Sequence, residues 1–148
     1  MWGAVIVVVM SVDQAGLRVL TRTECLRLLG TVNVGRVALS HRALPMILPV
    51  HFRLGDDDCI RISTTVGTTL ARATDQAVVA FEAEGPPGAV EPSWSVVVHG
   101  VATHPGSLRL AASGRVDIAI GVDEATGREV LDTTDPMAAA VTSARARW

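Results

Sequence analysis

Residues 62–73, ISTTVGTTLARA, place hydroxyl side chains where a predicted strand turns into a short helix. Gly67 lies among five hydroxyl residues, which are Ser63, Thr64, Thr65, Thr68 and Thr69. Amides at the start of a helix attract anions, so a turn of this kind is able to hold a phosphate group. The turn itself contains no cation, and the nearest basic residues are Arg61 and Arg72. Phosphate contact and simple capping of the helix both fit Thr68 and Thr69.

Arg61 is the basic residue best placed to assist this turn. It precedes Ser63 by two residues, so both side chains project from the same face of a strand. Other polar side chains form no recognisable group: the acidic run GDDD lacks the glycine and glutamate that complete a calcium loop. His99 and His104 stand at no metal-binding spacing and are expected at the surface. The sequence therefore predicts no metal site, and no residue is identified as catalytic.

Length, charge and cysteine content narrow the class of protein. The chain has 148 residues, enough for one domain with a buried core. A formal net charge of −2 gives no electrostatic footprint for nucleic acid. The apolar start MWGAVIVVVM is too short to span a bilayer. Cys25 and Cys59 indicate reduced thiols in a cytoplasmic protein. Neither a nucleic-acid partner nor a membrane is expected.

One helix carries complete local signals, in the segment LTRTECLRLLG. Thr21 and Glu24 have the spacing of a capping box. Leu20 and Cys25 are placed to form a hydrophobic staple across the first turn. Gly30 occupies the position where a left-handed residue commonly ends a helix. The segment is therefore predicted to be a short, capped helix.

Short strands separated by turns fill most of the remaining chain. In PMILPVHFRL, apolar residues alternate with others, so Val50 and Phe52 share one face and His51 lies on the other. Further strands are predicted at VNVGRVALS, CIRIS, AVVAFEAE, WSVVVHGVATH and a last hairpin of VDIAIGV and REVL around DEATG. About six or seven strands with few helices predict a mainly β protein, an antiparallel barrel whose interior includes Val50, Phe52 and Val96. The barrel is expected at residues 20–132, between an N-terminal extension (1–19) and a weakly ordered tail (133–148).

The order of these segments is similar to that of a known family. The succession ECLRLLGTVNVGRVALS, LPMILPVHF, STTVGTTL, VVAFEAE and WSVVVHGVAT resembles the pyridoxamine 5′-phosphate oxidase-like family of flavin-binding split barrels, and within it the short actinobacterial-type members. The resemblance covers residues 20–104. It implies an antiparallel split β-barrel with one or two short helices, a homodimer, and FMN held in a cleft between the subunits. A hydrophobic content of 49% fits a chain that buries surface between subunits.

The resemblance also places candidate site residues. In relatives, the strand matching Pro49, Val50, His51 and Phe52 runs beside the flavin ring and mainly offers backbone groups. The strand end matching Ser63 and Thr64 commonly supplies an arginine or a hydroxyl for the FMN phosphate, and many relatives have an arginine where this chain has Ser63. The position matching Thr69 is commonly lysine, so this chain lacks that charge. Trp94 fits a core or dimer anchor as well as a flavin contact. The predicted cofactor-binding residues are Val50, His51, Arg61, Ser63, Thr64, Thr68, Thr69 and Trp94.

Two functions of different class follow from the resemblance. The first is an FMN-dependent oxidoreductase that acts on a small ring substrate, with weak phosphate binding because the lysine is absent. The second is a dimeric barrel that does not bind flavin tightly and has a structural or interaction role. A deazaflavin cofactor matches less well, because its longer acidic tail would require more basic residues.

Overall fold

The computed structural model describes residues 10–85, 93–106 and 112–131. This part of the chain contains nine strands and two helices, in the order β1 Arg18–Leu20, α1 Arg22–Leu29, β2 Val34–His41, β3 Leu44–His51, β4 Arg53–Leu54, β5 Ile60–Thr65, α2 Thr69–Ala73, β6 Ala77–Gly85, β7 Trp94–Thr103, β8 Arg115–Ile120 and β9 Glu124–Glu129. Neither described helix has the length and apolar character that crossing a membrane requires.

All strand pairs are antiparallel, and the sheet curls into a barrel. The strands follow the order β3-β2-β6-β7-β8-β5-β4, while β9 pairs with β7 and β1 pairs with β9. The two end strands of this order, β3 and β4, are consecutive in the chain and separated only by Phe52. The two ends of the sheet are therefore joined by one short chain segment, which we call the seam (residues 51–54). The predicted antiparallel split β-barrel with two short helices is confirmed.

Alternation of side chains places the core inside this barrel. Val50, Phe52 and Val96 are buried as predicted. The rings of Phe52 and Phe81 meet edge to face, with centroids 4.7 Å apart and an interplanar angle of 65°. Phe81 also covers Gly35, where a Cβ atom would lie 2.4 Å from the ring. An aromatic pair therefore joins the seam to β6 and β2 at the centre of the core.

The predicted last hairpin is wrong. DEATG is not a turn, because Glu124–Glu129 form β9, which pairs with β7 from Trp94 to His99. β8 pairs instead with the other end of β7, at Ala102 and Thr103. Acidic residues and glycine are poor strand formers, but a free edge of β7 overrides that weak preference. Gly127 suits this place, since a Cβ atom there would lie 2.7 Å from Sγ of Cys25.

Gly100 marks the point where β7 passes from one partner strand to the other. The amides of Gly121 and Asp123 donate to the carbonyls of Val101 and His99, at 3.2 and 3.1 Å. The carbonyl of Gly121 thereby passes so close to Gly100 that a Cβ atom on Gly100 would lie 1.7 Å from its oxygen. Only a glycine allows this crossing.

Helix α1 begins as the sequence predicts and ends differently. The Thr21 side chain accepts from the Glu24 amide at 3.3 Å, and the Glu24 carboxylate accepts from the Thr21 amide at 2.8 Å. The predicted capping box is confirmed. Gly30 is not left-handed: its φ of −68° and ψ of −10° continue the helical conformation. The predicted left-handed C-terminus is therefore wrong.

The terminal segments are only partly described. β1 begins at Arg18, inside the segment that the sequence assigns to an N-terminal extension, and pairs with β9. Residues 1–9 and the predicted weakly ordered tail, 133–148, lie outside the described residues. The proposed domain limits at residues 20 and 132 stay a prediction.

Protonation of the Glu24 carboxylate should lower the stability of the fold at acidic pH. Hydrogen bonds from Arg18 and from the Thr21 amide lower the pKa of Glu24 from 4.5 to about 2. Because the folded pKa is lower than the unfolded one, this contribution is complete above pH 4.5 and is lost as the pH falls toward 2. Glu24→Gln retains a capping side chain without charge, so we expect it to cost about 1 kcal/mol near neutral pH and much less in acid. Urea unfolding of the wild type and Glu24→Gln, near neutral pH and in acid, measures the difference in the free energy of unfolding. An equal difference under the two conditions would contradict the prediction.

Candidate functional site

A surface cleft of about 310 Å³ lies at the seam, where β4, β5 and β8 run side by side. It brings together three of the residues predicted from the sequence, His51, Arg61 and Ser63. Phe52, which the resemblance places on the strand beside the flavin ring, also lines it. Its remaining walls come from residues that the sequence did not indicate: Arg53, Ile62, Pro105, Arg115 and Asp117. Its mixture of cationic, hydroxyl and apolar walls is characteristic of a small-molecule site.

Strand register explains why these side chains meet. On β5, Arg61 and Ser63 point outward while Ile60 and Ile62 are buried. This confirms that Arg61 and Ser63 share a face. In the ladder between β5 and β8, Ser63 pairs with Asp117. In an antiparallel pair, opposite residues lie on the same face of the sheet, so the outward side chains of β8 join those of β5.

Positive charge dominates the cleft. Arg53 and Arg61 are directly opposite each other on β4 and β5. The Arg61 guanidinium forms an ion pair with Asp57 of the preceding turn. A hydrogen bond from the Cys59 amide and the nearby Arg61 hold the pKa of Asp57 below its usual range. Three arginines thus face the cleft against one lining carboxylate, Asp117.

Arg115 is bonded to a neutral group. Its Nε and Nη2 atoms donate to Oγ of Ser63, at 3.0 and 2.8 Å. The two residues are 52 positions apart in the chain. Their contact follows from the register of β5 and β8, in which Arg115 pairs with Thr65.

The hydroxyl turn lies beside the cleft and caps α2. Thr68 is the N-cap residue: its Oγ1 accepts from the Ala71 amide at 3.2 Å and donates to the Thr65 carbonyl at 2.9 Å. Because that donation uses the one hydroxyl hydrogen of Thr68, the 3.2 Å contact with Thr64 is donated by Thr64. Thr69 is the first residue of α2. Of the described residues in this turn, only Ser63 lines the cleft, and the cofactor contacts of Thr64, Thr68 and Thr69 stay a prediction.

Comparison with known proteins identifies the family. The family model for pyridoxamine 5′-phosphate oxidase matches residues 21–147. The chain belongs to the pyridoxamine 5′-phosphate oxidase family. A FAD binding protein from Mycobacterium smegmatis is 30% identical and superposes with a TM-score of 0.64, over 78% of this chain and 99% of that one.

Two further proteins are similar to this chain in fold or in sequence. A FAD-binding protein from Mesorhizobium loti, 19% identical, has the same fold with a TM-score of 0.64, over 78% of this chain and 99% of that one. The Mycobacterium tuberculosis protein Rv0080 is 39% identical over 88 residues. That match covers 57% of this chain and 58% of the relative, so the chain spans little more than half of the curated relative.

Two of the predicted site residues lie apart from the cleft in this pyridoxamine 5′-phosphate oxidase-family chain. The side chain of Val50 points into the core, and the contact predicted for its backbone groups stays a prediction. Trp94 begins β7, nine residues before Thr103, where β7 meets β8. Its indole covers Gly85, where a Cβ atom would lie 1.9 Å from Nε1. Within one chain, Trp94 is therefore a core residue, and its contact with a cofactor stays a prediction.

The prediction that His104 lies at the surface is wrong for this family member. The side chain of His104, expected at the surface, is only 12% exposed. Its Nε2 lies 3.0 Å from Oγ1 of Thr74, which is buried and donates to the Leu70 carbonyl at 2.6 Å. Since the Thr74 hydrogen is used in that bond, Nε2 of His104 is the donor. His99 is exposed, as expected.

Proposed function

We propose that this chain binds FMN in the seam cleft and acts as an FMN-dependent oxidoreductase on a small ring substrate. The observation that carries the proposal is the convergence of Arg53, Arg61 and Arg115 with the Ser63 hydroxyl on one cleft. Membership of the family and the FAD-binding description of the Mycobacterium smegmatis relative support a flavin as the ligand. Free thiols at Cys25 and Cys59 support a cytoplasmic location within the same proposal.

The residues of the cleft fit the two ends of a flavin nucleotide. Guanidinium groups and a hydroxyl are donors that bind phosphate, and Pro105 offers apolar surface to a ring. A volume of about 310 Å³ is at the lower end for small-molecule sites, which range from roughly 300 to 1,000 Å³. A second subunit would complete the enclosure of the ring.

The bound flavin would supply the redox chemistry, and the chain would supply position and electrostatics. Arginines along β4 and β5 would stabilise negative charge on the ligand. His51, exposed at the end of β3, would offer a hydrogen bond to ligand or substrate. Pro105 would shield one side of the ring from water.

The outer face of the barrel supports a homodimer. Ile47 and Val78 are 68% and 77% exposed, large values for side chains of their size on regular strands. Ala38 pairs with Ile47 on one side, and Val78 pairs with Val101 on the other. An apolar strip, formed by Ala38, Ile47, Val78, Ala80 and Val101, therefore crosses β3, β2, β6 and β7.

A second copy of this chain is the partner that the strip fits best. Arg36 lies on the same face, 3.7 Å from Glu82 and 3.2 Å from Glu84. A two-fold interface brings the same patch of each subunit together, so a patch that carries both charges beside apolar residues is able to match itself. We propose that this strip forms the dimer interface.

Ile47→Arg should convert the dimer to a monomer. Ile47 lies on β3, at one end of the strip, and an arginine there would be buried in the interface without an opposite charge. Light scattering at micromolar concentration measures the mass. Val130→Arg is the matched control, because Val130 is also exposed but lies beyond β9. A monomeric wild type, or an Ile47→Arg dimer, would contradict the proposed interface.

Titration of the purified protein tests the flavin itself. We expect FMN to bind with a dissociation constant of about 1 μM or higher, because no lysine stands at Thr69. Quenching of flavin fluorescence measures binding, and parallel titrations with FAD decide between the two nucleotides. A dimer that binds neither would refute the flavin function and favour the structural or interaction role.

A further inference from the structure

In the contact between Arg115 and Ser63, a charged guanidinium binds a neutral hydroxyl. Two donors of the guanidinium converge on one neutral oxygen, at 3.0 and 2.8 Å. A guanidinium is better matched by two oxygens of an anion, to which it donates in parallel. Among the described residues, Arg115 forms no ion pair. Its guanidinium therefore faces the cleft without direct pairing to a carboxylate of the described residues.

The other candidate cations are less suited to this position. Arg61 is held by Asp57 in an ion pair. Arg53 is opposite Arg61 on β4, two strands across from Arg115 and about four residues along the ladder, and hence more than roughly 13 Å away. Asp117 lines the same cleft, so an anion near Ser63 requires a close cation to outweigh that carboxylate. Arg115 is the guanidinium that already lies there.

The register of β5 and β8 brings the guanidinium of Arg115 to the end of β5. The family resemblance implies that Ser63 occupies the strand end where many relatives carry an arginine for the phosphate. Here a guanidinium reaches the same place from β8, across the ladder, instead of along β5. Ser63 accepts both bonds from Arg115, so its own hydroxyl hydrogen remains able to donate to a phosphate oxygen.

We propose that Arg115, together with Ser63, is the anchor for the phosphate group of the nucleotide. The inference rests on the proposed flavin function and assigns the phosphate to a residue outside the sequence-predicted site. When the phosphate binds, the guanidinium fork turns from the single hydroxyl to two phosphate oxygens, and Ser63 adds a third bond.

The test compares FMN with riboflavin, which has the same ring but no phosphate. Arg115→Ala should weaken FMN binding by about 10- to 100-fold, because a charge-assisted, forked contact is lost. Riboflavin binding should change by no more than about two-fold, since the ring contacts remain. Both dissociation constants are measured by quenching of flavin fluorescence on the full-length dimer.

Three further variants separate the anchor from general effects of charge. Arg115→Lys keeps the charge without the fork and should lie between wild type and Arg115→Ala for FMN. Arg27→Ala removes the same charge from the exposed last turn of α1 and should leave both affinities unchanged. The double change Ser63→Arg with Arg115→Ser returns the guanidinium to β5 and should restore most of the FMN affinity.

Each outcome decides the inference. Equal loss of FMN and riboflavin affinity in Arg115→Ala would mean that Arg115 supports the cleft as a whole, and would overturn the phosphate anchor. A wild type that binds riboflavin as tightly as FMN would overturn the anchor and leave the flavin function standing. A wild type that binds neither would overturn both.

Discussion

Of all glycine-to-alanine substitutions at the described glycines, Gly100→Ala should destabilise the barrel most. The new Cβ atom would lie 1.7 Å from the carbonyl oxygen of Gly121, and that oxygen belongs to the backbone. To relieve the clash, the chain must separate where the Gly121 and Asp123 amides hold β7. Overpacking of this kind costs about 1–3 kcal/mol, and a rigid backbone neighbour places Gly100→Ala at or above about 3 kcal/mol.

The control is the residue on the other side of the same contact. A Cβ atom on Gly121 would meet only the Oδ1 atom of Asp123, at 3.5 Å, which is ordinary van der Waals contact. Gly121→Ala should therefore change the free energy of unfolding by less than about 1 kcal/mol. Urea unfolding of the wild type and both variants measures the difference. Similar effects of the two substitutions would show that the crossing does not depend on Gly100.

Phe81→Ala is expected to have the largest effect of any truncation in the core. Phe81 is completely buried, covers Gly35, and contacts the edge of the Phe52 ring. Its removal leaves a cavity at the centre of the barrel, for which we expect a loss of about 3–5 kcal/mol. Phe81→Leu keeps most of the volume and should cost less than about 1.5 kcal/mol.

The ring pair itself can be measured by a double-mutant cycle with Phe52→Ala. Edge-to-face pairs contribute about 0.5–1.5 kcal/mol beyond the area that they bury. The destabilisation of the double variant should therefore be smaller than the sum for the two single variants by that amount. Chemical unfolding of the two single variants and the double variant gives the coupling. Simple additivity would mean that the rings pack independently, although their centroids are 4.7 Å apart.

Local sequence signals predicted those parts of the fold that local interactions determine. The capping box of α1 needs only Thr21 and Glu24, and the alternation around Val50 needs only its neighbours along the strand. β9 was missed because its pairing partner, β7, is distant in the chain, and its own residues favour a turn. The helical conformation of Gly30 could not be read either, because glycine permits both conformations at a helix end.

The candidate site also combines contacts that follow from the local sequence with contacts that depend on distant strands. Arg61 and Ser63 lie on β5, and His51 ends β3 just before β4, which the short turn GDDD joins to β5. Arg115 meets Ser63 across 52 residues of sequence, and only the register between β5 and β8 shows that contact. Trp94 has the residue type expected for a ring contact, but its position along β7 places its indole over Gly85.

The seam gives the barrel a weak point beside its cleft. β4 contributes only two residue pairs, with Arg61 and Ile60 of β5, so few backbone hydrogen bonds hold the closing edge. Short, peripheral ladders of this kind open by local unfolding at a free energy well below that of global unfolding. A ligand that touches both Arg53 and Arg115 would bind only while the edge is closed. Such a ligand would act as a clasp, slowing amide hydrogen exchange along β4 and raising the resistance of the whole barrel to opening.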